Sequence, residues 1–132
     1  MGQVVATTAK PRRALPGAIA TGHFDQSVFF EGLANPTRLA AVRLLAEVDE
    51  MGVTELARLC NASQPRMSWH LRILRQAHVI TSRRDGREIL CRLNREAIGR
   101  HLGEFLQTVQ LPQDTHQQLK RSLESLQVIR RK

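Results

Sequence analysis

A mostly helical fold with a small β-hairpin wing, the winged helix-turn-helix arrangement, is what three observations in this 132-residue sequence predict. A short helical run and a longer one are joined by a tight turn at Asn61-Ala62. The longer run sets polar and aromatic groups opposite its apolar face, and a β-rich pair of segments flanking Asp85-Gly86 follows it directly. The length suits one domain with a modest core. Helices at the N- and C-terminal ends of that domain are expected to dimerise it.

Each element has its own local signal. Residues 1–23 hold Lys10, Arg12 and Arg13, two prolines and no acid, which reads as a flexible basic arm. Asp25 is expected to cap a first helix whose apolar side is Val28, Phe29 and Leu33. Asn35 caps a second, with Pro36 at its first position and Leu39, Val42 and Leu45 at helical spacing. Thr54 is expected to cap a short third helix, "ELARLC", and Ser63 a fourth, with Pro65 tolerated in its first turn. "VITSRRDGREILCRL" then reads as a hairpin whose central Asp85-Gly86 both need positive φ. Asn94 caps a fifth helix carrying Ile98, Leu102, Phe105 and Val109, and Pro112 ends it. Asp114 with Gln117 makes a capping-box pattern for a last helix with Leu119, Leu123 and Leu126. The expected organisation is therefore an arm at 1–23, a winged helix-turn-helix domain at 24–110 and a C-terminal helix at 111–132 that packs at the dimer interface.

The fourth helix carries the functional signal. At 100° per residue, Met67, Leu71, Leu74 and His78 fall on one side, while Pro65, Ser68, Trp69, Arg72 and Gln76 fall opposite. Trp69 therefore cannot join its own helix's core. Outward Ser, Gln and Arg can hydrogen-bond base edges and phosphates in a major groove, and an aromatic can lie against a thymine methyl. The residues expected to meet DNA are Ser63, Gln64, Arg66, Ser68, Trp69 and Arg72 on the helix, with Arg83, Arg84 and Arg87 on the wing. Two alternatives stand beside this. The module can dock a protein instead of DNA, and Trp69 can pack under a partner helix. His70 borders the core and reads as a structural hydrogen-bonding residue.

Charge agrees with a polyanionic partner. The net charge is +8, and it is segregated. Residues 24–57 hold two basic and six acidic groups, whereas residues 58–100 hold ten arginines against Asp85, Glu88 and Glu96. Solubility alone would mix the signs. No apolar run is long enough for a membrane span, no signal peptide is seen, and two cysteines without a CxxC make no disulfide framework, so a cytoplasmic protein with no membrane partner is expected. No nucleophile–base motif, phosphate loop or paired acids are present, and no enzyme activity and no cofactor are expected.

The motifs together resemble the ArsR/SmtB family of winged-helix repressors. "FFEGLANPTRLAAVRLL" is similar to that family's opening, "ELARLCNASQPRMSWHLRILRQAHVI" to its helix-turn-helix, and "SRRDGREILCRL" to its wing. The likeness covers about residues 25–108 and leaves out the arm and the last helix. It implies a homodimer pairing through the first and fifth helices, bound to double-stranded operator DNA and released by an inducer, often a metal ion. Phe29, Phe105 and Leu106 are the interface residues expected here.

The family's usual metal sites are not matched. Its third-helix thiolates would fall at Gly52 and Thr54, and its fifth-helix ligands at Arg95, Ala97, Thr108 and Leu111. A repressor without the common sensors is the leading expectation, its inducer unnamed. The alternatives are an atypical metal site from His101, Glu104, Asp114 and His116, and a thiol sensor at Cys60 and Cys91; two buried, inert thiols are the simpler reading.

Overall fold

The computed structural model describes the backbone of residues 21–131 and the side chains of residues 26–126. Its elements are α1 (Thr21–Leu33), α2 (Pro36–Ala46), β1 (Met51–Gly52), α3 (Val53–Leu59), α4 (Gln64–Gln76), β2 (Ile80–Asp85), β3 (Glu88–Leu93), α5 (Arg95–Val109) and α6 (Gln113–Arg131). The fold is a winged helix-turn-helix: α3 and α4 form the helix pair, and β2 and β3 form the wing. Most of the arm expected at the N-terminus lies outside the described residues. Its last residues do not belong to an arm, because α1 begins at Thr21. Asp25 consequently lies inside α1 and is not its cap.

Short polar side chains start three helices by taking orphan N–H groups. Asn35 accepts from the amides of Thr37 at 2.9 Å and Arg38 at 3.1 Å, Ser63 from Arg66 at 3.3 Å, and Asn94 from Ala97 at 3.2 Å. Thr54 does not cap α3. Gly52 holds that position with no side-chain bond, because Met51 and Gly52 pair with Cys91 and Leu90 of β3 as a third strand. α6 likewise starts at Gln113, one residue before the expected Asp114.

The helix-turn-helix corner is closed by backbone geometry. Asn61 has φ 52, and the Ala62 amide donates to Ala57 at 2.9 Å while the Asn61 amide donates to Arg58 at 3.2 Å. α4 ends the same way at His78, φ 59, with Val79 donating to Leu74 and His78 to Arg75, both at 3.0 Å. Both are left-handed helix stops of the Schellman type. His78 is thereby swung out to solvent and is not the core residue its helical angle suggested. In the wing, Asp85 pairs with Glu88, so the turn residues are Gly86 and Arg87. Of these only Gly86 has positive φ, at 63, the arrangement with glycine first in place of the expected Asp-Gly centre.

The core is Phe29, Ala41, Leu45, Leu56, Met67, Leu71, Leu74, Val79, Ile80 and Cys91, drawn from α1 to α4 and the sheet. Two expectations fail here. Leu39 faces outward while its neighbours Arg38 and Ala41 are buried, so the inner side of α2 is rotated from the expected one. Phe29 is wholly buried inside the protomer and has no surface to give a dimer contact. Its ring stacks on His101 of α5, with centroids 4.7 Å apart and planes 18° apart. No helix among the described residues is long and apolar enough to cross a membrane.

Candidate nucleic-acid interface

The N-terminal turn of α4 and its outer face are open. Ser63, Gln64, Arg66, Ser68, Trp69 and Arg72 are all exposed, whereas Met67, His70, Leu71 and Leu74 are buried. Ser68, Trp69 and Arg72 share one face by helical rotation, and the indole keeps 54% of its surface in solvent. Two polar residues of the set are partly committed within the protomer. The Ser63 hydroxyl serves as the cap, and Gln64 Nε2 donates to Thr54 Oγ1 at 2.8 Å, tying the start of α4 to α3.

The wing grows directly out of α4, and Arg75 links the two by donating to Ser82 Oγ at 3.4 Å. Side chains alternate across a strand, so Arg84 shares the face of Ser82 on the α4 side, while Arg83 points the other way. Arg83 is held there by Glu50, which accepts from Nε at 3.1 Å and Nη2 at 2.5 Å. That bond keeps the Glu50 carboxyl below its ordinary range and Arg83 above its own. Arg84 and Arg87 remain exposed. The expected wing contacts therefore split: Arg84 and Arg87 are free to meet phosphate, and Arg83 must first leave Glu50. Sequence reasoning missed Glu50, because a contact 33 residues away has no local signal.

It also missed what supports α4 from behind. Arg38 of α2 is buried, donating from Nε to the Gly32 carbonyl at 2.6 Å and from Nη2 to the Glu31 carbonyl at 3.3 Å. Its Nη1 lies 3.3 Å from His70 Nδ1. This contact needs a neutral imidazole with its proton on Nε2. Burial, then the charges of Arg38 and Arg66, hold the His70 pKa below the ordinary value.

The sign of the pH effect follows. The unfolded chain takes up the His70 proton first as pH falls, so this contribution is full above about 6.5 and is lost as pH drops towards the folded value. The expected result is that the stability gap between wild type and His70→Gln narrows below about pH 6.5 in thermal melts. A gap that stays constant from neutral to mildly acidic pH would refute the neutral-histidine contact.

The residues weighed for metal or thiol chemistry are not assembled. His101 is buried against Phe29, and among the described residues neither of its ring nitrogens has a partner, whereas Glu104, Asp114 and His116 are exposed. No group of three or more potential ligands comes together among the described residues. Cys60 and Cys91 are free thiols, and burial raises the pKa of both.

The family model for the bacterial regulatory proteins of the arsR family matches residues 35–82, the stretch from the α2 cap into the first wing strand. The arsenic resistance transcriptional regulator ArsR1 of Pseudomonas putida is 36% identical over 84 residues, 64% of this chain and 66% of that one. The chain spans between 56% and 66% of the lengths of the arsenic-resistance relatives it matches. Among solved structures, a possible transcriptional regulator for arsenical resistance superposes with TM-score 0.56 at 31% identity, covering 74% of this chain and 94% of that one. A homodimeric winged helix-turn-helix DNA-binding domain from Mycobacterium bovis, determined in solution, gives TM-score 0.57 at 26% identity over 74% and 89% of the two chains.

Proposed function

The chain belongs to the arsR family of bacterial regulatory proteins, and from that premise we propose that it is a homodimeric, sequence-specific DNA-binding repressor of transcription with no catalytic step. Residues 63–77 enter the major groove, and residues 79–93 lie on backbone and minor groove. The observation that carries this reading is the open face of Ser68, Trp69 and Arg72 beside a wing carrying Arg84 and Arg87. A solvated helix has no use for a half-exposed indole flanked by cations, whereas a duplex offers phosphates, base edges and thymine methyls to all of them. The dimer places two such helices about one turn of DNA apart. Its release signal acts without the family's thiolate and fifth-helix metal sites, whose positions hold Gly52, Thr54, Arg95, Ala97, Thr108 and Leu111.

Selection from a randomised duplex pool tests the reading. An enriched sequence with two related half-sites is expected, and recovery of no preferred sequence would reject it in favour of a protein-docking module. On the enriched duplex, Arg84→Ala and Arg87→Ala should each weaken binding to every sequence and lower the salt slope by about one unit. Arg72→Ala should relax base preference at one position by about 1–3 kcal/mol. Wing variants that change base preference at constant salt slope would reverse these roles.

A further inference from the structure

Arg38 of α2 is buried and ties the end of α1 to the middle of α4. We propose that it is a positioning residue for recognition, holding α4 at a fixed rotation against α1 so that base discrimination depends on a side chain that contacts no base. This rests on the DNA-binding reading above.

The last turn of any helix leaves carbonyls without partners. Arg38 takes the Gly32 carbonyl at the end of α1, shares the Glu31 carbonyl with the Ala34 amide, and spends a third donor on His70 in the middle of α4. A planar guanidinium can hold three such partners at once, whereas an ammonium acts as a single point charge. A second contact fixes the far end of α4. A Cβ on Gly32 would stand 2.6 Å from Ala77 Cβ, so the end of α1 abuts the end of α4 with no room between. One tie at residue 70 and one at residue 77 together set the rotation of α4 about its own axis.

That rotation decides what DNA meets. His70 is flanked on the exposed side by Ser68, Trp69 and Arg72, and contacting groups need to be held within roughly 10–20° of their productive orientation. The guanidinium carbon also lies 6.0 Å from the Trp69 ring centroid. A cleft of about 320 Å³ between α1 and α4 has Glu31, Arg38, Trp69 and Ile73 in its wall. The indole thus borders the packing that Arg38 maintains. Because Trp69 is the only tryptophan, its fluorescence reports that packing directly.

The test compares Arg38→Gln and Arg38→Lys with wild type, using the enriched duplex and random duplex of the same length. Both variants should fold, shift the Trp69 emission of the free protein, and lose at least about tenfold in the ratio of specific to random binding. The salt slope on random DNA should stay at the wild-type value, since no phosphate contact is removed. A slope lowered by about one unit would make Arg38 a phosphate contact and overturn the proposal. So would a fall in melting temperature with the discrimination ratio unchanged, which marks a purely structural residue. If Arg38→Gln fails to fold, Arg38→Lys decides alone, because it keeps the charge and loses the fork. Wild type that shows no preferred sequence would instead refute the DNA-binding reading itself.

Discussion

Replacing Leu71 with alanine is expected to cost about 2–5 kcal/mol and to lower the melting temperature by on the order of 10–20 °C. Leu71 is wholly buried on the inner side of α4, within the cluster that holds Phe29, Leu45, Leu56 and Leu74. Its truncation leaves a cavity in a core too small to close around it, and a domain of this size has only about 5–15 kcal/mol of stability. Trp69→Ala is the control. It stands two residues and about 160° away on the same helix and is half exposed, so its removal should change stability by less than about 1 kcal/mol while weakening DNA binding. Thermal melts of the two variants decide the matter. A Leu71→Ala melting point within about 3 °C of wild type would mean that α4 is not anchored as described.

That division of α4 is legible in the sequence, because a helix of one period reports its own inner and outer sides. The caps at Asn35, Ser63 and Asn94 were legible for the same reason: each acts within three residues of itself. What failed depends on distant chain. β1 is two residues long and exists only because β3 lies beside it, and its pairing displaces Thr54 from the expected cap. Helical period puts Phe29 on the apolar side of α1, but period alone cannot say whether Phe29 turns into the protomer's own core. Phe29 does, while Phe30 meets Phe105 edge to face at 4.9 Å. His101 is buried where its ring stacks on Phe29.

The candidate site divides along the same line. Its DNA-facing residues are read from helical angle and charge, both local properties. The residues that position or restrain them are Arg38, His70, Glu50 and Gly32. Their contacts span 32, 33 and 45 positions of sequence, and only His70 is marked locally, by a helical angle that borders the core. Arg38 in particular looks like one more surface cation until its three partners are known. A sequence reading therefore finds the surface that meets a partner more readily than the framework that aims it.

Assembly gives the second large effect. Within the protomer α5 buries only Ala97 and His101, yet Leu102, Phe105 and Val109 form an apolar stripe along its outer side. Leu119, Leu123 and Leu126 of α6 are exposed as well, with Leu123 at 61%. Between the helices Leu106, His116, Leu119 and Leu123 line an open groove of about 290 Å³. Exposed apolar side chains gathered on two successive helices mark an interaction surface. In the dimeric reading it is self-complementary across a two-fold axis. Leu102→Glu and Leu123→Glu place a charge at that surface while removing little from the protomer's own core. Each is expected to give a folded monomer at micromolar concentration in sedimentation and to weaken binding to the two-half-site duplex by about 10²–10⁴-fold, the advantage that linking two sites confers. Binding to a single half-site should be unchanged. If Leu102→Glu alone breaks the dimer, α5 forms the interface and α6 lies outside it. If wild type itself sediments as a monomer, the stripe serves another partner and the two-half-site mode of recognition is lost with it.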